Sequence, residues 1–192
     1  MEDFKLYFET GWEHIISTDA TDHILFILAL GAVYTISHWK PMLILVTAFT
    51  IGHSLTLALS ASDVIRFNSG WVEFMIPITI VATSFYNLLK PAQENFKVNY
   101  FLALFFGLIH GMGFANTIRF MLAEDQHITV PLLAFNLGLE AGQLLVVAAL
   151  LIVHWLLTSH LKLKQMTWIR SISIFTLIWG AWLAVNRLPI NN

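Results

Sequence analysis

Six apolar runs alternate with short polar connections, such as "HWKP" and "KPAQENFK". A hydrocarbon layer about 30 Å thick is crossed by about 20 apolar helical residues, and backbone polar groups in lipid must be satisfied within the segment. The pattern therefore predicts an all-α polytopic bundle of about six transmembrane helices. Their spans are approximately 23–38, 42–60, 71–89, 100–118, 131–157 and 171–187. The first run is short, which leaves room for its helix to begin earlier, near Glu13.

The composition agrees with a membrane protein and narrows its chemistry. Charged residues are 11 % of the 192, against roughly 25 % in typical globular proteins, and hydrophobic residues are 57 %. We expect a single transmembrane domain over residues 1–192. The net charge of −2 gives no basis for binding nucleic acid. Because the chain has no cysteine, it can form neither a disulfide nor a thiolate metal site, so any metal must be held by nitrogen and oxygen.

The distribution of charges predicts an orientation. Basic residues of the odd-numbered connections are Lys40, Lys90, Lys97, Lys162, Lys164 and Arg170, against Lys5, Arg66, Arg119 and Arg187 on the other face. That second face also carries Glu2, Asp3, Glu9, Glu13, Asp19, Asp63, Glu124 and Asp125, and only Glu94 lies clearly on the first. Since basic loops stay in the cytoplasm, we expect both termini outside and the lysine-rich loops inside. An acidic outer face would concentrate cations.

Three ionisable residues lie deep in predicted spans. At 1.5 Å per residue, His53 is about 16 Å along the second helix from its inner end, and His110 is at a similar depth in the fourth. Glu140 lies in the outer half to middle of the fifth. The outer ends of the first and third helices add Asp22, His23 and Glu73. Polar side chains of five helices are therefore expected to meet in one layer, in the outer half of the bilayer.

The fifth span has one polar face. Asn136, Glu140 and Gln143 follow i, i+4, i+7 spacing, and His154 continues this face fourteen residues beyond Glu140. The glycine pairs of "GLIHG" and "GLEAG" match the small-xxx-small pattern of close helix contacts. We therefore expect His110 and Glu140 to lie beside helix–helix contacts.

These residues suit a metal site, but each also has a structural interpretation. Imidazole and carboxylate ligands fit zinc, nickel, iron or manganese. Alternatively, His53 is a neutral imidazole bonded to a carbonyl, His110 packs between glycines, and Glu140 is protonated and bonded to Gln143 or a neighbouring helix. The Asp22–His23 pair would then cap the first helix. Glu73 would be an acid favoured at a helix N-terminus, and His154 an interfacial histidine.

Several motifs resemble the HupE/UreJ family of membrane proteins, named for hydrogenase and urease accessory loci. They are "GWEHIISTDATDHILFIL" at 11–28, "TAFTIGHSLTLALS" at 47–60, "VEFMIPITIVATSFYN" at 72–87, "FGLIHGMGFA" at 106–115 and "FNLGLEAGQ" at 135–143. The resemblance implies a nickel permease of the bacterial inner membrane, with a functional link to hydrogenase or urease maturation. The metal-handling positions it implies are His14, Asp22, His23, His53, His110 and Glu140.

Two functions are the main candidates at this point, and a membrane-embedded metal sensor or chaperone is a third. The first is transport of a divalent transition metal ion, nickel in the family's case, with Glu73, Asn136, Gln143 and His154 supporting the site or its pathway. The second is an intramembrane metal-dependent hydrolase with permanently bound zinc or iron, in which Glu140 or Glu73 is the general base. The family resemblance favours transport.

Overall fold

The computed structural model describes residues 2–17, 21–90, 96–121 and 128–189, without the side chains of 2, 115, 116 and 119. Asp19, Glu94, Glu124 and Asp125, which entered the orientation argument, lie outside these ranges. Within them the chain forms seven α-helices. They are α1 (Glu2–Ile16), α2 (Thr21–Gly31), α3 (Trp39–Ala61), α4 (Ser69–Leu89), α5 (Phe96–Met121), α6 (Thr129–Ser159) and α7 (Gln165–Asn186).

Five of the helices, α3 to α7, are long and apolar enough to cross a membrane. They confirm the predicted all-α membrane bundle, and each begins two to six residues before the span that hydropathy marks. Their ends are polar or aromatic, as at Trp39 and Ser69, so a hydropathy pattern truncates them. The polar residues at these ends are satisfied locally: the Asn68 side chain accepts a hydrogen bond from the backbone of Trp71.

The first predicted span, 23–38, is wrong as a single continuous helix. The helix α2 has 11 residues, about 16 Å, and ends at Gly31, after which a short 3₁₀ turn covers Ile36–His38. A separate helix, α1, precedes it. The polar residues of α1, such as Glu9 and Glu13, are exposed, and they hide this helix from a hydropathy pattern.

Glycines bring α1 directly against α6. The backbone at Gly11 lies against the carbonyl of Phe135, and the backbone at Gly138 lies against the carbonyl of Phe8. A methyl group at either glycine would collide with these carbonyls, so only glycine allows the contact. The close approach predicted from "GLEAG" is therefore confirmed, and it fixes the end of α1 against the middle of the bundle.

A second close contact joins α3 and α5. Gly107 lies against the carbonyl of Phe49, and Gly111 against the carbonyl of His53. Both contacts advance by four residues in the same direction, so the two helices run parallel. This packing confirms the contact predicted from "GLIHG" and brings the turn of α3 that carries His53 to the turn of α5 that carries His110.

The largest apolar core extends from the histidines along α2. Phe26 and Phe49 lie beside the imidazoles, and Leu30, Val33 and Tyr34 continue the same buried cluster. Two buried asparagines bond to residues of this core: Asn87 donates to the carbonyl of Ala29 (2.7 Å), and Asn99 donates to the hydroxyl of Tyr34 (2.7 Å). The interior beyond the histidines is therefore packed and mainly apolar.

Candidate metal centre

The break between α1 and α2 brings three histidines together. His14 lies in the last turn of α1, His23 in the first turn of α2, and His53 in the middle of α3. The His14 ring centroid is 4.6 Å from that of His23 and 6.0 Å from that of His53, and His23 and His53 are 6.2 Å apart. One ring nitrogen from each lies within 4.8 Å of the others.

This spacing fits a metal ion after small side-chain adjustments. A tetrahedral ion with metal–nitrogen bonds of about 2.0–2.1 Å separates its ligand nitrogens by about 3.4 Å. Side-chain rotations that move each ring nitrogen by about 1 Å would therefore bring the three nitrogens to the spacing that an ion requires. The donor set of neutral nitrogens suits zinc, nickel, copper or iron.

The imidazoles have nitrogens that nothing in the described part of the chain satisfies. These buried atoms are Nε2 of His14, Nε2 of His23, both ring nitrogens of His53, and Nδ1 of His110. Each unsatisfied buried polar group costs about 1–3 kcal/mol. Five such atoms in one cluster are hard to reconcile with purely structural histidines. Because a neutral imidazole carries a proton on one ring nitrogen, His53 offers one lone pair, and the four histidines together offer up to four for an ion.

A carboxylate orients His23. Oδ1 of Asp22 lies 3.1 Å from Nδ1 of His23 and also accepts the His23 backbone N–H at 2.9 Å. Because an ionised carboxylate only accepts, the ring proton must be on Nδ1, which leaves the lone pair of Nε2 for a metal. A carboxylate behind a ligating histidine fixes the tautomer and raises its basicity in known metal sites. Asp22 thus orients His23, and its predicted role in handling metal stays a prediction.

Thr79 orients His110 in the same way. Its hydroxyl donates to the carbonyl of Ile76 (2.6 Å), so its oxygen is left to accept the Nε2–H of His110 at 3.3 Å. The lone pair of His110 is then on Nδ1, which has no partner. Since the His110 ring is 4.8 Å from that of His23, it borders the cluster as a further nitrogen donor.

A cavity of about 190 Å³ leads to the cluster. It is lined by His14, Asp22, His23, Glu73, Ile76, His110, Gly113, Phe114 and Arg187. His53 is fully buried and is not among these lining residues. Glu73 is exposed at the start of α4, where it accepts a hydrogen bond from Ser69 at 3.0 Å. The site thus has an open side with charged residues and a closed side at His53.

Phenylalanines enclose the closed side. Phe49 and Phe135 each stack on His53 with ring centroids 6.1 Å apart. On the cavity side, the ring centroid of Phe114 lies 4.1 Å from that of His14. No pattern in the sequence distinguishes these aromatics among the fifteen phenylalanines. They limit water around the imidazoles, which strengthens electrostatic interactions within the site.

Arg187 is a charged residue of the site that sequence reasoning assigned only to the outer face. Its Nη1 lies 3.1 Å from Oδ2 of Asp22. The only available signal was its position just after the last helix, at the same predicted level as Asp22. Thr79 was missed entirely, because a threonine within an apolar helix is unremarkable.

Glu140 and Gln143 contact α3 and are not members of the three-histidine group. Thr47 donates to Oε1 of Glu140 at 2.7 Å, and Thr50 donates to Oε1 of Gln143 at 2.9 Å. We call these four residues the α3–α6 ladder. Their hydrogen bonds match the structural alternative for Glu140, a bond to a neighbouring helix, and its role as a metal ligand stays a prediction.

The two remaining pathway candidates also have local partners. Asn136 donates to the carbonyl of Leu132, one turn earlier in α6, at 2.8 Å. His154 is buried near the end of α6, and its Nε2 lies 2.5 Å from Oε1 of Gln165 at the start of α7. Neither belongs to the three-histidine group, and their roles in a pathway stay predictions.

Comparison with known proteins supports the resemblance found in the motifs. A family model described as HupE / UreJ protein matches residues 1–187, nearly the whole chain. Neither the curated proteins nor the solved structures gave a match. The matched region includes every helix and all the histidines of the cluster. The chain belongs to the HupE/UreJ family.

Proposed function

We propose that this protein transports a divalent transition metal ion, nickel in particular, across the bacterial inner membrane. The observation that carries the proposal is the group of His14, His23 and His53, in which each imidazole has a buried nitrogen without a partner among the described residues. The group adjoins an open cavity. The family's association with hydrogenase and urease accessory functions supports nickel as the ion. In this proposal the whole chain acts as one transmembrane domain.

The ion enters from the outer face, with both termini outside and the lysine-rich connections in the cytoplasm. Asp22 and Glu73 on the open side attract it, and the three imidazoles replace part of its hydration shell. Borderline ligands without thiolates favour labile binding, which a transporter needs because the ion must also leave.

Passage inward requires a conformational change, because Phe26, Phe49 and Leu30 block the direct route along α2. The proposed ligands are distributed over separate short helices, with His14 on α1 and His23 on α2. A tilt of α2 relative to α1 would separate these two ligands and release the ion inward. From there the proposed route of the ion continues inward past Asn87 or His154.

Reconstitution into liposomes tests the function. Purified protein is placed in vesicles with a metal-sensitive dye inside, and Ni²⁺ is added outside. Wild type should accelerate uptake, and His23→Ala and His53→Ala should abolish the acceleration. Thr50→Val, in the α3–α6 ladder, is a matched control that removes a buried polar group without touching an imidazole. Uptake by the histidine variants at the wild-type rate would refute the site.

A second function is favoured by one observation: Glu73 lines the same cavity as His14, His23 and His110. A three-histidine metal with a nearby carboxylate matches the requirements of a metal-dependent hydrolase. The same vesicles distinguish the two functions. Metal that survives dialysis against a chelator, with no uptake by wild type, would replace transport with the hydrolase.

A further inference from the structure

Arg187 occupies an unusual position for a cation. It follows the last residue of α7, its side chain is 29 % exposed, and it lines the same cavity as His14, His23 and His110. Its Nη1 bonds to Oδ2 of Asp22 at 3.1 Å. A permanent positive charge thus lies in the space through which a metal cation would reach the imidazoles, and it repels such an ion.

This contact also determines how many ligands the site offers. Oδ1 of Asp22 is engaged by His23, and Oδ2 by Arg187. With both oxygens engaged, the carboxylate supports a ligand without being one. If Arg187 were absent, Oδ2 would face the cavity as a negatively charged oxygen donor beside the imidazoles.

We propose that Arg187 is a tethered cation that competes with the transported metal ion for Asp22 and so keeps metal binding weak enough for release. This inference rests on the proposed transport function. Each further protein ligand, and above all an anionic one, raises the affinity of a site for a divalent cation, and an ion that must leave again needs weaker coordination. By engaging Oδ2 of Asp22, Arg187 keeps that carboxylate from becoming a further ligand. The residue therefore sets affinity and release rate, and it contributes no ligand.

The test compares Ni²⁺ affinity in detergent and Ni²⁺ uptake in vesicles for wild type, Arg187→Gln and Arg187→Lys. Arg187→Gln should bind at least about 10-fold more tightly, because a like charge is removed and a carboxylate oxygen is released. Its uptake should show a lower KM together with a lower maximal rate. Arg187→Lys keeps the charge and should stay within about 3-fold of wild type.

Two controls separate competition from general effects of charge. Arg170→Gln removes the same charge from an exposed position near the start of the same helix, about 25 Å away at 1.5 Å per residue, and should leave affinity unchanged. In an Asp22→Asn background, Arg187→Gln should gain less than about 3-fold, because the two changes act on one interaction. An equal gain with and without Asp22 would overturn the competition for that carboxylate.

The outcomes distinguish this inference from the proposed function. Unchanged or weaker Ni²⁺ binding by Arg187→Gln, with normal binding and uptake by wild type, overturns the inference alone and makes Arg187 a structural partner of Asp22. Absence of binding and uptake in wild type overturns the transport function. If Arg187→Gln does not fold, X-ray absorption of Ni²⁺-loaded wild type decides: nitrogen coordination without a protein carboxylate supports the inference, and a carboxylate ligand overturns it.

Discussion

The histidine cluster is largely buried, whereas the α3–α6 ladder runs from the exposed Thr47 and half-buried Glu140 to the buried pair of Thr50 and Gln143. The two groups also differ in how far their polar atoms are hydrogen-bonded. In the ladder, the Glu140 and Gln143 side-chain oxygens each accept from a threonine. In the three-histidine group and the neighbouring His110, five imidazole nitrogens lack any partner within the described residues. Polar groups that satisfy one another need no further explanation, whereas a group of buried donors and acceptors left open points to a missing ligand.

The largest expected effect follows removal of an imidazole. His53→Ala should lower Ni²⁺ affinity by at least about 100-fold, about 2.7 kcal/mol. One of three proposed ligands is lost, and water cannot easily take its place because His53 is fully buried. Elemental mass spectrometry of protein loaded with Ni²⁺ and desalted measures the loss. Stoichiometric nickel in His53→Ala would exclude this residue from the site and indicate that His53, like the ladder residues, is structural.

Metal should stabilise the fold only where the cluster is intact. At a free Ni²⁺ concentration of 100 times Kd, binding to the native state adds about 2.7 kcal/mol to the free energy of unfolding. The thermal midpoint of wild type and of Thr50→Val should therefore rise with Ni²⁺, and that of His23→Ala should not. A metal-induced rise in His23→Ala would show that the stabilising ion binds elsewhere.

Loss of the orienting carboxylate should have an intermediate effect. Asp22→Asn keeps the shape of the side chain but removes the charge that favours the Nδ1–H tautomer of His23, so affinity should fall about 10- to 100-fold. Titration with Ni²⁺ against a competing chelator measures it. Glu73→Gln, which removes a carboxylate from the same cavity, is the control and should change affinity less, since Glu73 bonds to Ser69 and not to an imidazole. Equal losses in the two variants would indicate a general effect of negative charge.

The ladder should affect stability more than metal binding. Thr50→Val leaves the Gln143 oxygen without its donor, and hydrogen bonds between membrane helices contribute on average about 0.6 kcal/mol. A denaturation series in mixed micelles should show a loss of that order. Nickel stoichiometry should stay at the wild-type value, and its disappearance would connect the ladder to the metal centre.

The smallest expected effect is at Glu140, and it tests most directly whether the ladder is purely structural. Glu140→Gln can still accept the hydrogen bond from Thr47, so Ni²⁺ affinity should stay within about 3-fold of wild type if the ladder is structural. The family resemblance instead implies that Glu140 handles metal. A loss of 10-fold or more in the competition titration would favour that prediction over the geometric one.

Much of the bundle could be predicted because lipid imposes simple rules. Apolar runs revealed α3 to α7, and glycine spacing revealed the two closest helix contacts. The interruption between α1 and α2 could not be found in this way, since α1 is stabilised by its glycine contacts with α6 and carries exposed charges that hydropathy treats as loop. Local patterns do not show that a polar helix has a partner more than a hundred residues away.

The candidate site, like the fold, could be predicted only in part. Depth along a helix suggested His53 and His110, because counting residues gives height in the membrane. Depth also suggested Glu140, but it does not say which neighbour a side chain faces, and Glu140 faces Thr47. Arg187 and Thr79 depend on contacts between helices distant in the chain, so no spacing within one segment could reveal them.

The docking of α1 on α6 has a consequence for biosynthesis. The histidine at the end of α1 is translated first among the ligands, but its supporting surface at Phe135, Gly138 and Gly142 is translated some 120 residues later. A nascent chain that has inserted only α2 to α5 cannot hold His14 in place. The three-histidine group is therefore completed late in assembly, which, under the proposed function, disfavours premature capture of metal ions by an unfinished chain.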